Sequence, residues 1–346
     1  MAEVVAVRIV PTLVTTGVVI AVCAGCSTGT SQDNLQGAPG LAAATPAVSP
    51  PASSPAGTTL PAAAGVTWSS VAVSGMVLDN TTRTLAVAVT KPAALWLYSL
   101  DNPTTPPRVV GLPGPAATLS LARAGGPVLA PVTTANQVVQ VALPAGTTSV
   151  VPVAGGPTSA AQLNGQLLVA VPGRKTVDVL SGNTVVHSIT GDNAPDQVLT
   201  VDGKTAVLDR PNSALYDLHP AGGLGAGLRA GDGATNAVTD EYGRVLVVDT
   251  RGGELLAFTL DTIIMRQRYP LPGSPYGIAY DTKRDLAWVT LTATNQLVGF
   301  AMTGGSPTEK YRLSTVRQPN SVAVDPASGR VYVGSAAGEG IRVITP

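Results

Sequence analysis

A short unit returns three times towards the C-terminal end of this chain, and it limits the possible folds more than any other feature. Pro319–Asp325 reads PNSVAVD and runs into PASGRVYVGS; Pro275–Asp281 reads PYGIAYD and runs into TKRDLAWVTL. A fainter copy, Ala234–Asp240, reads ATNAVTD and runs into EYGRVLVVDT. Each copy is an apolar run, a polar turn and a second apolar run. Such a unit cannot bury its own apolar faces, so copies must stack against one another.

Followed backwards, the unit starts at Val73, Pro115, Pro157, Pro195, Ala234, Pro275 and Pro319, with successive spacings of 42, 42, 38, 39, 41 and 44 residues. That period is the length of a four-stranded propeller blade. The better-patterned units offer four strand-like runs each. In the sixth they are Gly277–Tyr280, Leu286–Leu291, Gln296–Met302 and Glu309–Leu313; in the fifth, Thr235–Thr239, Val245–Val248, Leu255–Leu260 and Met265–Tyr269. Hydrophobic residues make up 45% of the chain and charged ones 12%, with 38 Gly and 29 Pro. This balance favours short strands and many turns over helices.

The last unit has room for three strands only, Ser321–Val324, Arg330–Gly334 and Ile341–Thr345, while the first is preceded by a spare run, Val66–Val73. Lending that run to the last unit would close a ring and remove an exposed edge. The expected fold class is therefore all-β: a seven-bladed β-propeller of four-stranded antiparallel blades over residues 65–346, its last blade closed by the N-terminal strand. Six or eight blades are the alternatives, because the second and fourth units are weakly patterned.

The terminal units resemble the YVTN and NHL-like propeller repeats of bacterial surface and periplasmic proteins. Gly329-Arg330-Val331-Tyr332-Val333 carries most of the resemblance, with paler versions at Leu286-Ala287-Trp288-Val289-Thr290 and Gly243-Arg244-Val245-Leu246-Val247. The Tyr-Val-Thr-Asn tetrapeptide itself is absent, and units one to four share only the spacing. The resemblance implies a rigid extracytoplasmic ring.

Ahead of the ring the composition changes. Arg8 ends a short N-terminal region, and Ile9–Val22 is an apolar run of 14 residues, where a membrane-spanning helix needs about 20. It fits the core of a secretory signal, residues 1–25. Ala24-Gly25-Cys26 resembles the end of the bacterial lipobox, although Cys23 stands where an aliphatic residue is usual. The resemblance implies that Cys26 is lipidated and becomes the new N-terminus. Residues 26–64 are Ala, Pro, Ser, Thr and Gly with almost no charge. They cannot form a core and are expected to be a disordered tether, with a coil span on the order of 35 Å. The expected location is the cell membrane, lipid-anchored on its extracytoplasmic side.

The chemistry is less legible. The two cysteines lie at 23 and 26, so the ring can hold no disulfide. Formal net charge is zero and no basic run alternates with aromatics, which argues against nucleic acid as a partner. His187 and His219 are not at metal-ligand spacing, and no nucleophile elbow, P-loop or dinucleotide fingerprint occurs. No catalytic residue and no metal ligand is assigned.

In a propeller, one face gathers the loops between blades and those joining second to third strands, around the central channel. Polar residues concentrate there. The binding candidates are Asn193, Asp209, Arg210, Asn236, Asp249, Arg251, Tyr276, Asn295 and Asn320. Asp and Asn also serve simply as turn formers at such positions. Propeller lactonases, resembling the gluconolactonase group, use Glu, Asn and Asp around a cation on this face. That resemblance would imply Ca²⁺ on Asn193, Asn236, Asp209 and Asp249. Asp79, Asp240, Asp281 and Asp325 each end a first strand and are expected to cap its hairpin. Trp68, Trp96 and Trp288 are expected to pack between blades. The chain is expected to act as a monomer that binds a protein or small ligand on the channel face, with no cofactor.

Overall fold

The computed structural model describes residues 67–191 and 194–346. The signal segment, Cys26, the tether and Asn193 lie outside the described residues.

The described residues form seven four-stranded antiparallel sheets. Blade 1 is β2 (Val73–Asp79), β3 (Thr84–Thr90), β4 (Ala93–Ser99) and β5 (Arg108–Gly111). Blade 2 is β6 (Ser120–Leu121), β7 (Val128–Val132), β8 (Gln137–Val141) and β9 (Thr148–Pro152). Blade 3 is β10 (Ser159–Leu163), β11 (Gln166–Val171), β12 (Thr176–Ser181) and β13 (Thr184–Thr190). Blade 4 is β14 (Gln197–Val201), β15 (Lys204–Asp209), β16 (Ala214–His219) and β17 (Gly223–Arg229). Blade 5 is β18 (Ala234–Thr239), β19 (Arg244–Asp249), β20 (Glu254–Thr259) and β21 (Ile264–Pro270). Blade 6 is β22 (Pro275–Asp281), β23 (Leu286–Leu291), β24 (Gln296–Ala301) and β25 (Thr308–Ser314). Blade 7 combines β26 (Pro319–Val324), β27 (Val331–Ser335) and β28 (Ile341–Ile344) with β1 (Thr67–Trp68). Each blade's first strand lies beside the first strand of the next, and β2 meets β26, so the ring is closed. This is a seven-bladed β-propeller.

The nearly continuous apolar runs of the second strands follow from this stacking. A blade inside the ring is covered on both sides, so both pleat faces of a strand must be apolar. In β19 every residue is buried. Val245 and Val247 join Leu208 and Phe258 in the gap towards blade 4, whereas Leu246 and Val248 join Val289 and Phe300 in the gap towards blade 6. Seven such clusters among the described residues fill the seven gaps. Each fully buried Val or Leu contributes about 1.5–3 kcal/mol over an exposed one. The three tryptophans lie on strands of blades 1, 6 and 7, and Trp288 is wholly buried.

The N-terminal closure is shorter than the sequence suggests. The spare run was expected to be one strand through Val73, but only Thr67 and Trp68 pair with β28, opposite Arg342 and Ile341. Ser69 turns the chain with a positive φ of 51°, and Val73 already belongs to the first strand of blade 1. Aromatic contact supplements the two rungs. Trp68 stacks on Tyr98 of blade 1 at 5.2 Å and lies against Tyr332 of blade 7 at 5.5 Å. Gly340 is required where the crossing is tightest: its φ is 78°, and a Cβ there would sit 1.5 Å from the Ser69 carbonyl oxygen.

The aspartates that end first strands cap their hairpins as expected. Asp240 Oδ1 accepts the Tyr242 and Arg244 amides, and Asp281 Oδ1 those of Lys283 and Arg284. Two of them also reach a neighbouring blade. Asp79 accepts the amide of Gly125 in blade 2 at 2.9 Å. Asp325 takes a forked pair of bonds from Arg83 of blade 1, at 2.7 and 2.9 Å. Burial alone would raise the Asp325 carboxyl, but Arg83, the Ser328 hydroxyl and the Ala327 amide outweigh it and hold the group at about 2.

Candidate functional site

The first strands carry one polar side chain each near their starts, and most of these side chains cross to the next blade. Thr118 donates to the Thr158 carbonyl at 2.8 Å, and Thr158 to that of Asp196 at 2.9 Å. Gln197 pairs with both main-chain groups of Ala237, at 2.9 and 3.1 Å. Asn236 donates to the Tyr276 carbonyl at 3.0 Å, and Asn320 closes the circuit on Val73 at 2.9 Å. Sheets twist away from one another at the hub and leave main-chain carbonyls without a strand partner. A side-chain amide or hydroxyl one repeat away supplies the bond.

Inside this collar lies a cavity of about 380 Å³. Its wall draws on blades 1, 2, 4, 5, 6 and 7. Ser74, Thr118, Gln197, Asn236, Tyr276 and Asn320 line the end where the first strands begin. Met76, Leu78, Val238, Ile278, Val322 and Val324 line it further along the same strands. Arg210, from the turn after β15, reaches into it and donates through Nη2 to Asn236 Oδ1 at 3.2 Å. The Arg210 amide donates to Asp196 Oδ2 at 3.3 Å. Burial pushes the Asp196 carboxyl above its ordinary value, with Arg210 pulling the other way.

Four of the nine candidates, Arg210, Asn236, Tyr276 and Asn320, thus share the channel wall. The other four described candidates stand apart from the channel wall. Asp209 is fully buried and accepts the Ala194 and Asn212 amides at 2.9 and 3.0 Å, with the Asn212 side chain at 2.8 Å. Asp249, also fully buried, accepts the amides of Asp232, Gly233 and Gly252 at 2.7, 2.7 and 2.9 Å. Two glycines make room for it: a Cβ on Gly231 or Gly252 would lie 2.0 or 2.1 Å from its Oδ2. Both aspartates tie an inter-blade loop to the adjacent turn. Asn295 does similar work, accepting the Gln318 amide at 3.0 Å, while its buried Nδ2 has no partner. Arg251 lies on the rim against Asp232.

A cation on this face would need the oxygens of Asp209 and Asp249, which already accept N–H groups. Among the described residues no group of three or more His, Cys, Asp or Glu side chains converges on a metal-sized site. Asp209 and Asp249, committed in this way, do not fit a Ca²⁺ centre. Near His219, Asp217 spends its Oδ1 on the Asp261 amide at 3.1 Å. The polar channel residues that sequence reasoning missed are Ser74, Thr118 and Gln197. Their signal was the recurrence of one Ser, Thr, Gln or Asn per first strand about forty residues apart, which only a register between blades makes meaningful.

No protein-family model and no curated protein matches the sequence. Among solved structures the chain is similar to virginiamycin B lyase from Staphylococcus aureus, with a TM-score of 0.66 and 13% identity over 82% of this chain and 98% of that one. It is also similar to the β-propeller domain of Cps50 (Swd1) from Myceliophteria thermophila, with a TM-score of 0.69 and 11% identity over 82% and 99%. A chain of the mitotic checkpoint complex gives a TM-score of 0.68 and 8% identity over 86% and 95%. At these identities the likeness is one of fold.

Proposed function

We propose that this protein is a lipid-anchored, extracytoplasmic β-propeller that binds a protein or small ligand on its channel face and performs no catalysis itself. The anchor is read from Ala24-Gly25-Cys26 and the uncharged tether behind it. One observation carries the binding reading. The acids on this face, Asp209 and Asp249, are committed to main-chain amides, so the face offers a fixed surface without an assembled acid, base or metal cage. Propellers similar in fold include a component of a multiprotein assembly and a lyase, and the committed acids favour the first kind of use. A lactone hydrolase would first have to break both loop ties.

Native mass spectrometry of the full chain, before and after chelator, separates the two. A metal-free protein that crosslinks to a reproducible partner in the intact envelope is the expected result. One stoichiometric divalent ion, lost on chelation together with lactone hydrolysis, would overturn it. For the anchor, Cys26→Ala should move the protein from the membrane fraction to the soluble one; a variant still membrane-bound and acyl-labelled would refute the lipid attachment.

A further inference from the structure

The channel gathers Ser74, Thr118, Gln197, Asn236, Tyr276, Asn320 and the Arg210 guanidinium at one end, and its side chains are mostly apolar further along the strands. Arg210 is the only formally charged side chain among the described residues that line it. Its charge acts on the Asp196 carboxyl, and its Nε is buried without a hydrogen-bond partner among the described residues. The guanidinium is steered rather than free. Arg210 Nη2 donates to Asn236 Oδ1, and Asn236 Nδ2 donates to the Tyr276 carbonyl, so one relay crosses blades 4, 5 and 6. The relay ends on the Tyr276 main chain, and Tyr276 lines the same end of the channel as Arg210. Neither Arg210 Nη1 nor the Tyr276 hydroxyl has a hydrogen-bond partner among the described residues, whereas the Gln197 and Asn320 amides are spent on main chain.

A guanidinium on the wall of a concave, partly dry site favours an anion over a neutral group, because the charge-assisted hydrogen bond is the stronger one. Past the collar the lining includes Met76, Leu78 and Ile278, each only partly covered by the packing between blades, which offer apolar surface. A cavity of about 380 Å³ is at the small end of the range for small-molecule sites, roughly 300–1,000 Å³. We infer that the channel is a binding site for a small organic anion, with the carboxylate or phosphate head on Arg210 and Tyr276 and an apolar body along the first strands. This deepens the binding reading above and rests on it.

The test is calorimetric titration of the full chain in detergent with octanoate and octyl phosphate, and with methyl octanoate as the neutral control. Octanoate or octyl phosphate should bind with one-to-one stoichiometry, and the ester at least about tenfold more weakly. Arg210→Gln should weaken anion binding by about ten- to a hundredfold and bring it level with the ester. Tyr276→Phe should weaken it less. Stronger binding of octanoate or of octyl phosphate tells which head group the site prefers. Equal affinity for anion and ester, or an unchanged affinity in Arg210→Gln, would overturn the inference. So would the absence of binding by either anion; envelope crosslinking would then still decide the broader reading separately. If Arg210→Gln does not fold, the ester comparison on the unaltered protein and Tyr276→Phe decide the matter.

Discussion

Blades 2 and 6 perform the same structural task by different means. In blade 6 the first strand runs Pro275–Asp281, its own Asp281 caps the hairpin, and Trp288 fills the gap to blade 7 while stacking on Tyr311 at 5.3 Å. Blade 2 contains no aromatic residue, and its first strand is only Ser120–Leu121. The cause is visible in β7. Pro131 accepts the Ala117 amide at 2.9 Å but has no N–H to return, so the ladder to the first strand stops early. Neighbours compensate. Asp79 of blade 1 holds the Gly125 turn, and Thr118 and Ser120 bond to main chain of blade 3 at 2.8 and 2.7 Å. A closed ring lets a weakly paired blade be held from both sides, so the period can survive where the strand pattern fades.

The largest test of this contrast is in the packing. Trp288→Ala should cost about 3–5 kcal/mol and Leu129→Ala in blade 2 about 2–5 kcal/mol, read by urea unfolding of each variant. A greater loss at Leu129 would show that aromatic filling is not what distinguishes blade 6. Next in size is the borrowed cap. Asp79 is buried; its burial would raise the carboxyl, but the Thr82 hydroxyl and the Gly125 and Thr82 amides outweigh that and lower it. A carboxylate lowered in the folded state stabilises fully above its unfolded pKa of about 3.9 and loses that contribution as pH falls. Asp79→Asn should cost about 1–3 kcal/mol at neutral pH, and its stability should converge on that of the unaltered protein in acid. It should also speed amide exchange in the 122–127 turn of blade 2, which Asp281→Asn should leave alone. Equal effects of the two variants on that turn would dissolve the idea of a lent cap. The smallest effect belongs to Pro131→Val. The restored donor and the lost proline rigidity oppose each other within about 1 kcal/mol, while the amide at 131 becomes protected from exchange. A fast-exchanging amide there would mean that something other than the missing donor shortens the strand.

The ring, its blade number and the borrowed closing strand were legible because period and strand pattern repeat together in Ala234–Asp240, Pro275–Asp281 and Pro319–Asp325. The length of the closure was not, since Ser69 ends it through a backbone angle that no apolar pattern announces. The site was legible by half. Of the candidates taken from loop topology, Arg210, Asn236, Tyr276 and Asn320 line the channel. Whether an Asn or Asp there faces a ligand or a neighbour's main chain depends on a register some forty residues away. Asp209, Asp249 and Asn295 each accept main-chain amides of a neighbouring loop, a bond that no local pattern announces. The forked bond from Arg83 to Asp325 was equally hidden, its partners being 242 residues apart.

Thr67 enters the ring at the outer edge of blade 7, since β1 is the last strand of that sheet. Any load carried by the preceding chain therefore arrives at the perimeter and not at the hub. Two rungs would unzip easily by themselves, but Trp68 is lodged against Tyr98 and Tyr332 and passes the tension into blades 1 and 7 together. The joint that closes the ring is thus also the joint through which the preceding chain enters it, so one short edge strand serves both purposes.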